Sequence, residues 1–217
     1  MKKLTLGAIA LAASTMIGSA ASYADLFGEI WLNEPLVAEN LSLFPAGLTS
    51  GRDATFTSTA FDYFVGSSGG TIGQFLNNDA ASLPGGANGA IANTPLADTV
   101  FRFTGNAVAP AGTVLGINVP AGTLGIAHDD GVIVSSGINT NTGNIINAGL
   151  GTSEILSQGP LVGAQQITVL FGECCGPPSA LISNIDNAVP APEPASLAIL
   201  GVALAGFGVM RRRRKTS

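Results

Sequence analysis

Two short stretches concentrate the residues that could do chemistry. The first is His128-Asp129-Asp130-Gly131-Val132, two adjacent carboxylates beside the single histidine of the chain. Asp-Gly between two β-type runs signals a hairpin, with Gly131 at positive φ and Asp130 bracing the turn through its own backbone. The same pair is also a hard-oxygen set suited to calcium. Asn139, Asn141, Asn144 and Asn147 in the following loop offer further oxygens. Neighbouring side chains in a regular strand point to opposite faces, so Asp129 and Asp130 can meet one ion only if the backbone between them is unusual. The second stretch is Glu173-Cys174-Cys175-Gly176-Pro177-Pro178-Ser179-Ala180. Its adjacent cysteines admit a vicinal disulfide, two free thiols or an intermolecular bridge. A vicinal disulfide closes almost no chain and adds little by loop entropy. Its value would be a rigid apolar knuckle at a ligand-facing edge. Two cysteines and one histidine make a poor zinc set.

Other reaction classes find less support. His128 next to a turn reads as a hydrogen-bonding surface residue, and no Ser-His-Asp or Cys-His arrangement is evident. Glu173 could pair with Asp129 or Asp130 as a glycosidase-type dyad, but so could other acids of this acidic chain. Ser67-Ser68-Gly69-Gly70-Thr71-Ile72-Gly73 lacks the lysine and the clear helix of a phosphate loop.

The two ends read as addresses. Lys2 and Lys3, the apolar run from Leu4 to Ile17 and the small residues of Ser22-Tyr23-Ala24 fit a secretory signal over 1–24, with the mature start at Asp25. Such a signal implies Sec export. At the other end, Pro192-Glu193-Pro194 precedes an apolar run from Ala195 to Met210, then Arg211, Arg212, Arg213, Arg214 and Lys215. Sixteen helical residues span roughly 24 Å, short of a typical ~30 Å hydrocarbon core. The basic cluster stays cytoplasmic and leaves the preceding domain outside. Between residues 25 and 192 the cations are Arg52 and Arg102; with thirteen acids the formal charge is −11. A region so charged is repelled by phosphate backbones, which argues against nucleic-acid binding.

The stretch 25–187 reads as one all-β domain, a sandwich or barrel. The strand candidates are Gly28 to Glu34, Ala54 to Val65, Thr99 to Val108, Thr123 to His128, Gly131 to Ser136, Gln165 to Glu173 and Ser179 to Ile185. Phe101 and Phe103 alternate with Arg102 and Thr104. Ile167, Val169 and Phe171 alternate with Thr168 and Leu170. The stretches 76–95 and 135–154, rich in Gly and Asn, read as long loops.

From Phe101 to Ser183 the series Phe-Arg-Phe-Thr-Gly, Gly-Thr-Leu-Gly-Ile-Ala-His-Asp-Asp-Gly and Thr-Val-Leu-Phe-Gly-Glu resembles the PA14-type β domain. Some lectins of that superfamily join a D-D pair by a cis peptide and hold calcium there, which in turn binds sugar hydroxyls. Asp129 and Asp130 match that motif; the further ligands fall in a loop that does not align. The order Pro-Glu-Pro, apolar helix and arginine cluster over 188–217 resembles the PEP-CTERM sorting signal. That resemblance implies cleavage by an exosortase and a transient anchor in the inner membrane. Release would be to the cell surface or extracellular matrix of a Gram-negative-type bacterium, in association with extracellular polysaccharide and biofilm. The expectation is an exported, non-enzymatic module, calcium-dependent in glycan binding. A structural matrix component and, at a distance, a polysaccharide hydrolase are its rivals.

Overall fold

The computed structural model describes residues 25–59, 61–66, 70–137, 143–149, 155–175 and 178–187. The expected signal segment and sorting tail lie outside the described residues. Among those described, no helix is long and apolar enough to cross a membrane.

Thirteen strands dominate the described residues. They are β1 (Leu26–Trp31), β2 (Ala54–Ser58), β3 (Asp62–Val65), β4 (Thr99–Val108), β5 (Gly112–Val114), β6 (Ile117–Val119), β7 (Thr123–Asp129), β8 (Gly131–Ser136), β9 (Asn144–Ala148), β10 (Ile155–Pro160), β11 (Gln165–Glu173), β12 (Ser179–Ser183) and β13 (Asp186–Asn187). Two short helices, α1 (Pro35–Glu39) and α2 (Ile72–Leu76), complete the frame. The larger antiparallel sheet runs β2-β1-β4-β11-β8-β9, with β13 on the far end of β4. The smaller runs β10-β7-β12-β3, and β5 and β6 form a separate hairpin. The expected all-β class holds, as a sandwich of two antiparallel sheets.

The alternation of β4 sets the core. Phe101 and Phe103 point inward and meet Phe56, Phe61, Tyr63, Phe75 and Phe171 between the sheets. Their rings lie 4.7–6.3 Å apart, mostly tilted or edge-on, the geometries that ring quadrupoles favour. The opposite face of the larger sheet is not left to water along its whole length. Trp31, Val100, Ile133 and Leu170 are buried there under Val37, Ala38, Leu41 and Phe44 from α1 and the turn after it. Leu170, expected on the face opposite Phe171, therefore belongs to a second core. Gly172 permits that layer: a Cβ there would sit 2.5 Å from the carbonyl oxygen of Ala38.

Other expectations change. The run Ala54 to Val65 is two strands in different sheets, β2 and β3, because Phe56 and Tyr63 enter the core from opposite sides. The stretch 76–95 winds through helical turns that bury Leu76, Ala80, Leu83 and Ala92. The stretch 135–154 contains β9, which pairs with β8 through backbone groups that polar side chains do not announce. Finally, β7 and β8 do not pair with each other. β7 pairs with β10 and β12, β8 with β11 and β9. The Asp-Asp-Gly turn is a corner between sheets, not a hairpin.

Candidate functional site

The corner is built where two crossings between the sheets run side by side. One passes from β7 to β8 through Asp130. The other passes from β11 to β12 through Cys174 and Cys175. Register fixes their proximity: Asp129 faces Ala180 across the smaller sheet and Gly131 faces Gly172 across the larger. Asp130, not Gly131, takes the left-handed backbone, at φ 75°. Asp is among the few non-glycine residues that enter this region readily. The cis peptide among the described residues is Phe44–Pro45, so the Asp129–Asp130 bond is trans, against the expectation from the lectin resemblance.

The side chains are buried, not displayed on a loop tip. Asp129 and Asp130 are each 5% exposed, while His128 and Glu173 are 0%. His128, expected at the surface, sits inside the smaller sheet. Its Nδ1 lies 2.7 Å from the carbonyl oxygen of Asp130 and its Nε2 2.9 Å from Ser157 Oγ. A carbonyl can only accept, so Nδ1 carries the proton and Nε2 accepts from the serine hydroxyl. Burial holds the imidazole below its ordinary value, against the pull of the Asp130 carbonyl and the two neighbouring carboxylates. His128 is thus neutral and fixes the left-handed turn.

Asp130 reaches the other crossing. Its Oδ2 accepts the backbone N–H of Cys174 at 3.1 Å. The backbone of Cys175 and the side chain of Glu173 also favour its ionised form. Burial pushes Asp130 above the usual carboxylate range, although these hydrogen bonds oppose it. Asp129 is raised by burial and then by the charge of Asp130.

Cys174 and Cys175 are joined in a disulfide. Cys174 Sγ lies 3.5 Å from Asp130 Oδ1, a contact and not a hydrogen bond, because a disulfide sulfur carries no proton. Asp130 and the two sulfurs lie within 4.8 Å of one another, but without a thiolate they are no metal set. The peptide between the aspartates is trans, the carboxylate of Asp130 is engaged by amides and by Glu173, and Asp129 joins no group of three ligating side chains among the described residues. Of the expected oxygen donors, Asn144 accepts from Ser135 Oγ at 2.8 Å. Asn147 lines a small cavity behind Gly131. Asn139 and Asn141 lie outside the described residues. Ser157 has no forewarning in the sequence, because β10 carries no strand signal.

Residues 187–214 match the IPTL-CTERM motif, a C-terminal sorting motif related to PEP-CTERM. The resemblance read from Pro192, Glu193, Pro194 and Arg211 to Arg214 thus holds as a C-terminal sorting motif, with the relative as the matched family. No curated protein matches the chain. The PA14 domain of the antifreeze protein MpAFP is similar over 80% of this chain and 85% of its own, at 19% identity and a TM-score of 0.51. A PA14 sugar-binding domain from an RTX adhesin is similar over 77% of this chain and 100% of its own, at 18% identity and a TM-score of 0.47. The fold of the described domain is PA14-like.

Proposed function

We infer that this is an exported protein whose C-terminal motif sorts it to the cell surface or extracellular matrix, where its β domain binds carbohydrate. The observation that carries the binding role is the gathering of His128, Asp129, Asp130 and Glu173, all buried, at one corner of the sandwich. Burying carboxyl groups costs free energy that apolar side chains of similar volume would avoid, so a purely structural corner has no need of them. Groups shifted by burial and gathered at one place are candidates for a functional site. The PA14-like fold and the sorting motif agree with a binding domain displayed outside the membrane. No catalytic step is assigned.

An exosortase belongs to this proposal in its finer form, and calcium at the corner is its rival reading. Processing near Pro192-Glu193-Pro194 would be the exosortase's part. The trans Asp129–Asp130 peptide and the engaged Asp130 carboxylate favour binding without calcium. A glycan array probed with and without chelator tests both levels. Binding that survives chelation and is lost in Asp130→Asn supports the calcium-independent reading. Binding abolished by chelation restores calcium to the corner, and an array without any signal ends the carbohydrate reading.

A further inference from the structure

Arg52 and Arg102 are the cations between residues 25 and 192, and the fold brings both to one carboxylate. Arg52 Nη1 donates to Glu29 Oε1 at 2.5 Å and Arg102 Nε to Oε2 at 2.5 Å. Arg102 Nη2 meets the same Oε2. Glu29 faces Arg102, and Phe27 faces Thr104, across β1 and β4. Since Phe101 and Phe103 fill the core, this cluster occupies the outward face of the larger sheet. An open trough of about 360 Å³ runs beside it, lined by Phe27, Glu29, Arg102, Thr104, Gly105 and Gln166. That volume falls in the ordinary range of small-ligand sites.

Three features distinguish the trough from a bare ion pair. Phe27 is 47% exposed, and the guanidinium of Arg52, outside the lining itself, stands at the trough's edge 5.9 Å from the Phe27 ring centre. Arg102 lies over Trp31 and Phe44, at 5.4 and 5.6 Å from their centroids, so its planar fork is held in place. Finally, two guanidiniums face one carboxylate, a local charge of +1 on a region of −11. Each guanidinium has five N–H donors and Glu29 takes only part of them. The remainder can take a second carboxylate in the planar, charge-assisted manner that arginine favours. The long-range acidity of the domain excludes dense polyanions and leaves singly charged ligands.

We propose that this trough binds a sugar bearing a carboxylate, a uronate, with its ring against Phe27, its carboxylate on Arg52 and its hydroxyls toward Thr104 and Gln166. The proposal rests on the carbohydrate reading above and places an acidic sugar at a site separate from the Asp130 corner. Trp31 is the single tryptophan of the chain and touches Arg102, so its fluorescence reports on the trough. The full-length protein is titrated with D-glucuronate, D-glucose and acetate at matched ionic strength. Glucuronate gives a saturable change, and glucose and acetate do not. Arg52→Gln and Phe27→Ala, checked for an unchanged β-sheet signal by circular dichroism, each weaken it about tenfold or more. If Arg52→Gln unfolds, Arg52→Lys replaces it, keeping the charge but not the fork. An equal response to glucose, an equal response to acetate, or no saturation overturns the proposal. A glycan array then separates the two readings. Binding that persists in both trough variants but is lost in Asp130→Asn sinks the trough alone, whereas an array blank in the native protein sinks the wider reading while the titration still decides the trough.

Discussion

The backbone N–H of Cys174 donates to Oδ2 of Asp130 across 44 residues of sequence, at 3.1 Å. This bond fastens the crossing from β7 to β8 onto the crossing from β11 to β12. The disulfide ring starts at Cys174 itself and encloses the next peptide, that between Cys174 and Cys175.

Asp130→Asn removes an acceptor from that latch and turns an amide group toward donors. The expected cost is about 1–3 kcal/mol, the range for leaving a buried partner unsatisfied. Urea unfolding reads it as a lower midpoint at unchanged slope. A midpoint equal to the native one shows that the latch holds nothing.

The same carboxyl predicts a pH effect. Its folded value lies above the ordinary 3.8, so between the two values the folded state holds a proton that the unfolded state has released. Stability therefore declines as pH rises through the folded value and recovers on acidification toward 3.8. Asp130→Asn flattens this arm of the stability profile, and thermal melts across that window measure it.

His128 acts with the opposite sign. Its folded value lies below the ordinary 6.5, so under pH 6.5 the unfolded chain takes up a proton that the folded one resists. Stability present above pH 6.5 is lost as pH falls toward the folded value. Nitrogen-15 spectra at neutral pH should show the proton on Nδ1; a proton on Nε2 would contradict the hydrogen bond to the Asp130 carbonyl.

Reduction of Cys174–Cys175 should change global stability little, because the closed loop contains no intervening residue. Its effect is local. Amide exchange at Cys174 and Cys175 accelerates in reductant while the core strands stay protected, as hydrogen-exchange spectra can resolve. Uniform acceleration over the whole domain would instead make the disulfide a global brace.

Glu34 supplies an acid-side test remote from the corner. Burial raises its carboxyl, but donors from the backbone and side chains of Thr49 and Ser50 overcome that and hold it below the usual range. This stability is present above the unfolded value and is lost as pH falls through the folded one. Glu34→Gln should destabilise at neutral pH by about 1–3 kcal/mol and blunt the acid transition.

Strands with their own alternation were legible. β4 and β11 announce themselves through Phe101 and Phe103 and through Ile167, Val169 and Phe171, since those residues face a core whichever partner supplies it. Topology was not, because pairing is a long-range choice. Asp130-Gly131 carries the local chemistry of a hairpin, and only the competing partners of β7 and β8 convert it to a corner. The burial of Leu170 depends on a helix 130 residues earlier in the chain, beyond the reach of any periodicity. Of the site, residue types were visible and exposure was not. Glu173 and Asp130 could be named as carboxylates, but their burial at one corner arises from two crossings that the sequence does not place together.

β13 has a mechanical meaning. Its Asn187 lies opposite Ala107, while Glu173, beside the corner, lies opposite Thr99 at the other end of the same strand. Eight residue steps of β4 therefore separate the exit of the chain from the corner, about 27 Å at ~3.4 Å per step. Any tether attached after Asn187 starts from the pole opposite Asp130.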